Sequence, residues 1–145
     1  MEKLQFKTTI NAPREKVWDI LWTDETYRAW TSVFGEGSHA VSDWKKGSKI
    51  LFLGGEGTGM VSRIDDLVPN EFMSFQHLGE VKDGVEDTTS ERVQKWAGGR
   101  ENYTLKTVDG NTELTVDLDI PEEFKEMFSE MFPNALNKIK ELSER

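Results

Sequence analysis

Apolar and polar positions alternate from Lys3 to Ile10: Leu4, Phe6, Thr8 and Ile10 share one face, and Lys3, Gln5 and Lys7 the other. A period of two predicts a strand with one wet side. Asn11-Ala12-Pro13 interrupts it. Pro13 suits the first helical position, which leaves Ala12 or Asn11 as the cap. The period then changes. Val17, Ile20 and Leu21 fall on one stripe with Trp18 and Trp22 beside it, predicting a helix with a wide buried face. Thr23-Asp24-Glu25 supplies a cap and an acidic first turn for a second short helix through Tyr27 and Trp30.

Further on, residues 35–47 are rich in Gly, Ser and charge and read as a short strand or loop. Strands are predicted over 49–53, 58–67, 72–78, 102–108 and 112–118, separated by Gly- or Pro-bearing turns. Asp109-Gly110 marks a tight hairpin between the last two. Residues 79–95 carry five acids and few apolar side chains and read as a mobile loop ending at Trp96, which would clamp it to the sheet or line an opening. After Asp119, with Pro121 in the first turn and Asp119 and Glu122 placed for a capping box, a long helix is predicted. Phe124, Met127, Phe128, Met131, Phe132, Ala135, Leu136, Ile139 and Leu142 form one stripe along it. To Ser143 it would be about 34 Å long, with a kink at Pro133.

Strands joined by short turns imply an antiparallel sheet, and a single amphipathic helix needs a curved sheet to bury its stripe. The expectation is an α+β fold: a curved antiparallel sheet of six to seven strands wrapped around a long C-terminal helix, with two short helices after the first strand. The 145 residues are expected to form one domain.

Composition narrows the function. With 27 acids against 18 bases the net charge is −9, which argues against nucleic acid and anionic membranes as partners. The absence of cysteine removes disulfides, thiolate nucleophiles and Cys-ligated metals. Two isolated histidines give no transition-metal site, and no cofactor motif is present. Gly54–Gly59 lacks the following helix and Lys-Ser/Thr of a phosphate loop. No signal sequence or membrane span is visible, so a cytoplasmic location is expected.

Several segments, in order and at fitting spacing, carry a resemblance. They are Ile10–Trp18, Trp30, Trp44–Lys49, Gly59–Asp65 followed by Pro69-Asn70-Glu71, and Gly110–Val116. Together they resemble the helix-grip fold of the START-like superfamily, and within it the family named after the C-terminal domain of the activator of heat-shock protein 90 ATPase. The resemblance implies a deep apolar pocket between the last helix and the sheet. Members bind lipids, polyketides, hormones or aromatic compounds, a few are cyclases or aromatases, and the name-giving domain stimulates a chaperone's ATPase. No shared catalytic signature comes with it.

Candidate ligand-binding residues are Trp30, Phe52, Phe75, His77, Tyr103, Phe128, Met131 and Phe132. The aromatic and Met positions of the last helix suit either a core or an adaptable pocket lining. His77 shares a face with Met73 and Phe75, where it would bond a ligand, act as an acid or base, or simply be a satisfied core histidine. Arg63 and Arg100 would anchor a ligand at the pocket rim or pair with Asp65 and Asp66. Glu101 is read as facing away from Tyr103. The leading expectation is a protein, monomer or weak homodimer, that binds an apolar small molecule. The alternatives are a chaperone-regulating interaction module and, behind it, a cyclase- or hydrolase-like enzyme centred on His77.

Overall fold

A computed structural model describes residues 1–145. Strand β1 (Glu2–Ile10) is followed by helices α1 (Arg14–Trp22) and α2 (Asp24–Thr31). Strands β2 (His39–Ser42), β3 (Lys49–Leu53), β4 (Thr58–Val68), β5 (Phe72–Lys82) and β6 (Val85–Asp87) come next, then a single-turn helix α3 (Glu91–Gln94). Strands β7 (Arg100–Val108) and β8 (Asn111–Ile120) lead through a 3-10 turn (Glu122–Phe124) into α4 (Lys125–Ser143). All eight strands join one antiparallel sheet ordered β1-β8-β7-β5-β4-β3-β2, with β6 pairing to β5.

The inward face follows the alternation read from the sequence. Leu4, Phe6 and Thr8 of β1 stand opposite Leu118, Val116 and Leu114 of β8. On α4, Phe132, Ala135, Leu136 and Ile139 are buried against this face, and the Phe132 ring stacks on Phe6 at 5.2 Å. The end of α4 is tied to the β1–α1 corner. Lys140 Nζ donates to the Thr9 carbonyl at 2.7 Å, and the Asn11 N–H donates to Glu144 at 2.8 Å. Two irregularities bend the long β4–β5 pair, one leaving Leu78 and the other Asp65 without a partner residue. Such bulges increase local curvature and re-aim side chains.

Some local expectations change. The stretch 79–95 is ordered structure: β5 runs to Lys82, Asp83-Gly84 turns the chain with both residues at positive φ, and β6 returns along β5. Gly79 permits the close approach, since a Cβ there would lie 2.1 Å from the Asp87 carbonyl oxygen. Ser90 caps α3, and Val81 and Val93 are buried. Asp119 makes no capping box. It ends in the sheet, accepting from Lys3 Nζ at 2.8 Å and from the Arg100 N–H at 3.0 Å. Pro13 takes the N-cap position of α1 rather than the first turn. The Asp109-Gly110 hairpin forms as expected, with both residues at positive φ and Val108 opposite Asn111.

Candidate functional site

Between the N-terminal half of α4 and the concave sheet lies a cavity of two lobes. One, about 250 Å³, is walled by α2, β2, β3 and β7; the other, about 440 Å³, opens between β5, β8 and the start of α4. Met60, His77, Glu101, Phe128 and Phe132 line both.

Trp30, Phe52, His77, Tyr103, Phe128 and Phe132, all expected ligand-binding residues, line the first lobe. Phe75 lies outside both lobes. It is fully buried behind the wall, its ring edge-on to Phe52 at 5.0 Å and to Trp22 at 5.4 Å. Met131 also lies outside both. At about 100° per residue it points about 90° away from the mean direction of the buried α4 side chains. Phe124 and Met127 are exposed lips of the second lobe, which Trp96 and Arg100 also line. Arg63 stays outside, bound to Gln76 at 2.7 Å and Asp65 at 3.1 Å, while Arg100 lines the second lobe and pairs with Asp65. His39, read as part of a polar loop, sits at the first lobe with Nδ1 2.9 Å from the Gly37 carbonyl.

A buried polar chain crosses the cavity floor. The bulge at Leu78 aligns Ser62 of β4 with His77 of β5. The His77 backbone is fixed on its other side, its N–H donating to Gly99 and its carbonyl accepting from Gly98. Ser62 Oγ lies 2.7 Å from His77 Nδ1, and His77 Nε2 lies 3.2 Å from Glu101 Oε1. The Tyr103 hydroxyl donates to Glu101 Oε2. A carboxylate only accepts, so His77 Nε2–H donates to Glu101, and the Ser62 hydroxyl, able to donate or accept, partners Nδ1.

Glu101 is the residue that sequence reasoning misplaced. It is two positions from Tyr103 and therefore on the same face of β7, not the opposite one. Strand period alone would have found it. The serine–histidine–carboxylate order resembles a nucleophilic triad, but Ser62 is 0% exposed and lines neither lobe, so it orients the imidazole and cannot reach a cavity ligand.

Both tyrosines of the chain belong to this site. Burial, reinforced by the nearby Glu101 carboxylate, pushes the Tyr27 and Tyr103 hydroxyls well above their ordinary 10.0. The Tyr27 ring packs edge-on to Trp30 at 5.2 Å, and Trp30 to Tyr103 at 6.3 Å. The Trp30 indole is held by its N–H to the Leu21 carbonyl at 3.1 Å.

A curved sheet gripping one long helix over a cavity defines a START-type α+β protein. The chain belongs to the activator of Hsp90 ATPase homolog 1-like family, whose model matches residues 11–144. No curated protein matches it at a significant level. Among solved structures it is similar to the Aha1 dimer from Colwellia psychrerythraea, at 20% identity and TM-score 0.73 over 99% of this chain and 97% of that one. It is also similar to protein CV1439 from Chromobacterium violaceum, at 17% identity and TM-score 0.71 over 100% and 99%. A third is DynU16, a protein in the dynemicin biosynthetic locus, at 15% identity and TM-score 0.72, where 97% of this chain aligns with 46% of that one. At these identities the likeness concerns the fold. No helix is long and apolar enough to cross a membrane.

Proposed function

We propose that the protein, acting as a single domain in the cytoplasm, binds an apolar or aromatic small molecule in the two-lobed cavity. The observation that carries the reading is the cavity itself, with aromatic walls and a short polar chain presented at the floor. That combination of wide apolar surface and few placed polar groups is how small-molecule sites are built. Apolar burial supplies affinity at about 25 cal/mol per Å² before association costs. The exposed Phe124 and Met127 at the second lobe give the ligand an apolar entrance.

Native mass spectrometry of protein purified from its own host, followed by organic extraction, tests this. A stoichiometric adduct that competes with an added aromatic probe supports the reading. Repeated absence of any adduct, together with no perturbation of Trp fluorescence by aromatic probes, overturns it.

The second reading is a module that regulates a heat-shock protein 90 type ATPase. It rests on the family and on the similarity to the Colwellia Aha1 dimer. Chaperone ATP turnover unchanged at saturating protein removes it. A cyclase- or hydrolase-like reaction at His77 has less support, because both imidazole nitrogens are already engaged.

A further inference from the structure

We propose that the molecule held in this cavity carries a protonated amine, and that Glu101 anchors it. The inference rests on the cavity reading above and specifies the head group.

The charge balance of the first lobe comes first. Glu101 is the sole acidic residue lining it, and no lysine or arginine lines it. The Glu101 side chain is only 22% exposed, and its one salt-bridge partner is the His77 imidazole. A mostly buried carboxylate with no permanent cation beside it is costly unless something supplies the opposite charge. Two of the roughly four acceptor positions of a carboxylate are filled, by His77 and Tyr103.

Tyr27 is an independent observation. It is 7% exposed, lines the same lobe, and its hydroxyl has no hydrogen-bond partner in the protein. The carboxylate of Glu101 is close enough to disfavour its ionisation. An ammonium has three donors, and Glu101 together with the Tyr27 oxygen offers acceptors for them.

The walls favour the same charge. Tyr27, Trp30 and Tyr103 meet edge to face at 5.2 and 6.3 Å, forming a corner of electron-rich rings next to the carboxylate. Such faces attract cations. An anionic head group in this lobe would meet Glu101 with no lysine or arginine beside it, the cavity's Lys82 and Arg100 lining the second lobe, and the net charge of −9 adds a field of the same sign.

The test compares one skeleton with three head groups: a naphthyl-ethylamine, the matching naphthyl-ethanol and naphthyl-acetate. Binding to the wild-type protein is followed at neutral pH by Trp fluorescence and calorimetry. The amine is expected to bind at least about tenfold more tightly than the alcohol, the increment of one charge-assisted hydrogen bond, with the acetate weakest. In Glu101→Gln the amine-to-alcohol ratio falls to about one. Equal binding of all three, or a preference for the acetate, overturns the head-group inference and leaves the cavity reading standing. An amine preference that survives Glu101→Gln in a folded protein overturns Glu101 as the anchor. If none of the three binds, this inference falls, and the cavity reading falls with it where the host-purified protein also carries no adduct.

Discussion

Alkaline titration probes the core of the site without any mutation. Tyr27 and Tyr103 are the only tyrosines in the chain, and both are buried with hydroxyls that resist ionisation. In the unfolded chain each would titrate at its ordinary 10.0. A folded-state pKa above the unfolded one means that stability is intact below pH 10 and is lost as pH rises past it, because only the unfolded chain releases the protons. At pH 11 an ordinary tyrosine is about ten-elevenths ionised, so each buried one removes about 1.4 kcal/mol of stability relative to neutral pH, and the pair about 2.8 kcal/mol. That is a large share of the 5–15 kcal/mol typical of a domain. The assay pairs tyrosinate absorbance near 295 nm with Trp fluorescence through the titration, and compares urea midpoints at pH 8 and pH 11. Tyrosinate should appear only together with unfolding, for both residues at once. A tyrosinate signal with midpoint near pH 10 in a protein whose Trp fluorescence remains native would refute the burial argument.

Three further outcomes are expected. Phe128→Glu should abolish uptake of a cavity ligand while Met131→Glu leaves it within about twofold, because only Phe128 lines the cavity; equal losses in equilibrium binding would contradict the placement. Ile139→Ala, at a side chain 1% exposed, should destabilise the fold by about 2–5 kcal/mol in urea unfolding. Asp65 is held below its ordinary pKa first by its Arg100 hydrogen bond, Asp87 by the Ser90 backbone N–H, and Glu144 by Lys140; for Asp119, burial opposes ionisation but Lys3 and the Arg100 N–H outweigh it. These depressed values add stability above the ordinary 3.8–4.5, and it is lost as pH falls through the folded-state values. The urea midpoint should therefore drop below about pH 4, and less steeply in Asp119→Asn; an identical acid limb in that variant would sink the attribution.

Much of the sheet was legible because alternation is a local signal: Leu4, Phe6 and Thr8 read inward, and Leu118, Val116 and Leu114 meet them. The Asp-Gly rule placed the turn at 109–110. The same dipeptide at 83–84 gives no such signal, because acids dominate its surroundings and a three-residue strand such as β6 leaves almost no period to detect. The α4 stripe was read as continuous, yet Phe124 and Met127 are exposed, since periodicity shows a face but not where the opposing sheet ends. Phe75 was expected at the ligand because it faces inward. Being inward is not the same as lining space, and other rings cover it. The Ser62–His77 contact depends on a bulge that shifts register by one residue, which no pattern in either strand announces.

The pairing of β1 with β8 has a consequence for how the chain comes to be folded. Every partner of residues 2–10 in the sheet lies between Thr112 and Ile120. A growing chain emitted at about 5–20 residues per second makes about 100 further residues before that partner exists, so the first strand waits on the order of 5–20 s. During that interval Leu4, Phe6 and Ile10 have no native strand to join. Closure across such a separation is also what slows refolding of the complete chain. The lysines at positions 3 and 7 alternate with those apolar side chains, and charge so placed keeps an unpaired strand from joining a neighbouring nascent chain.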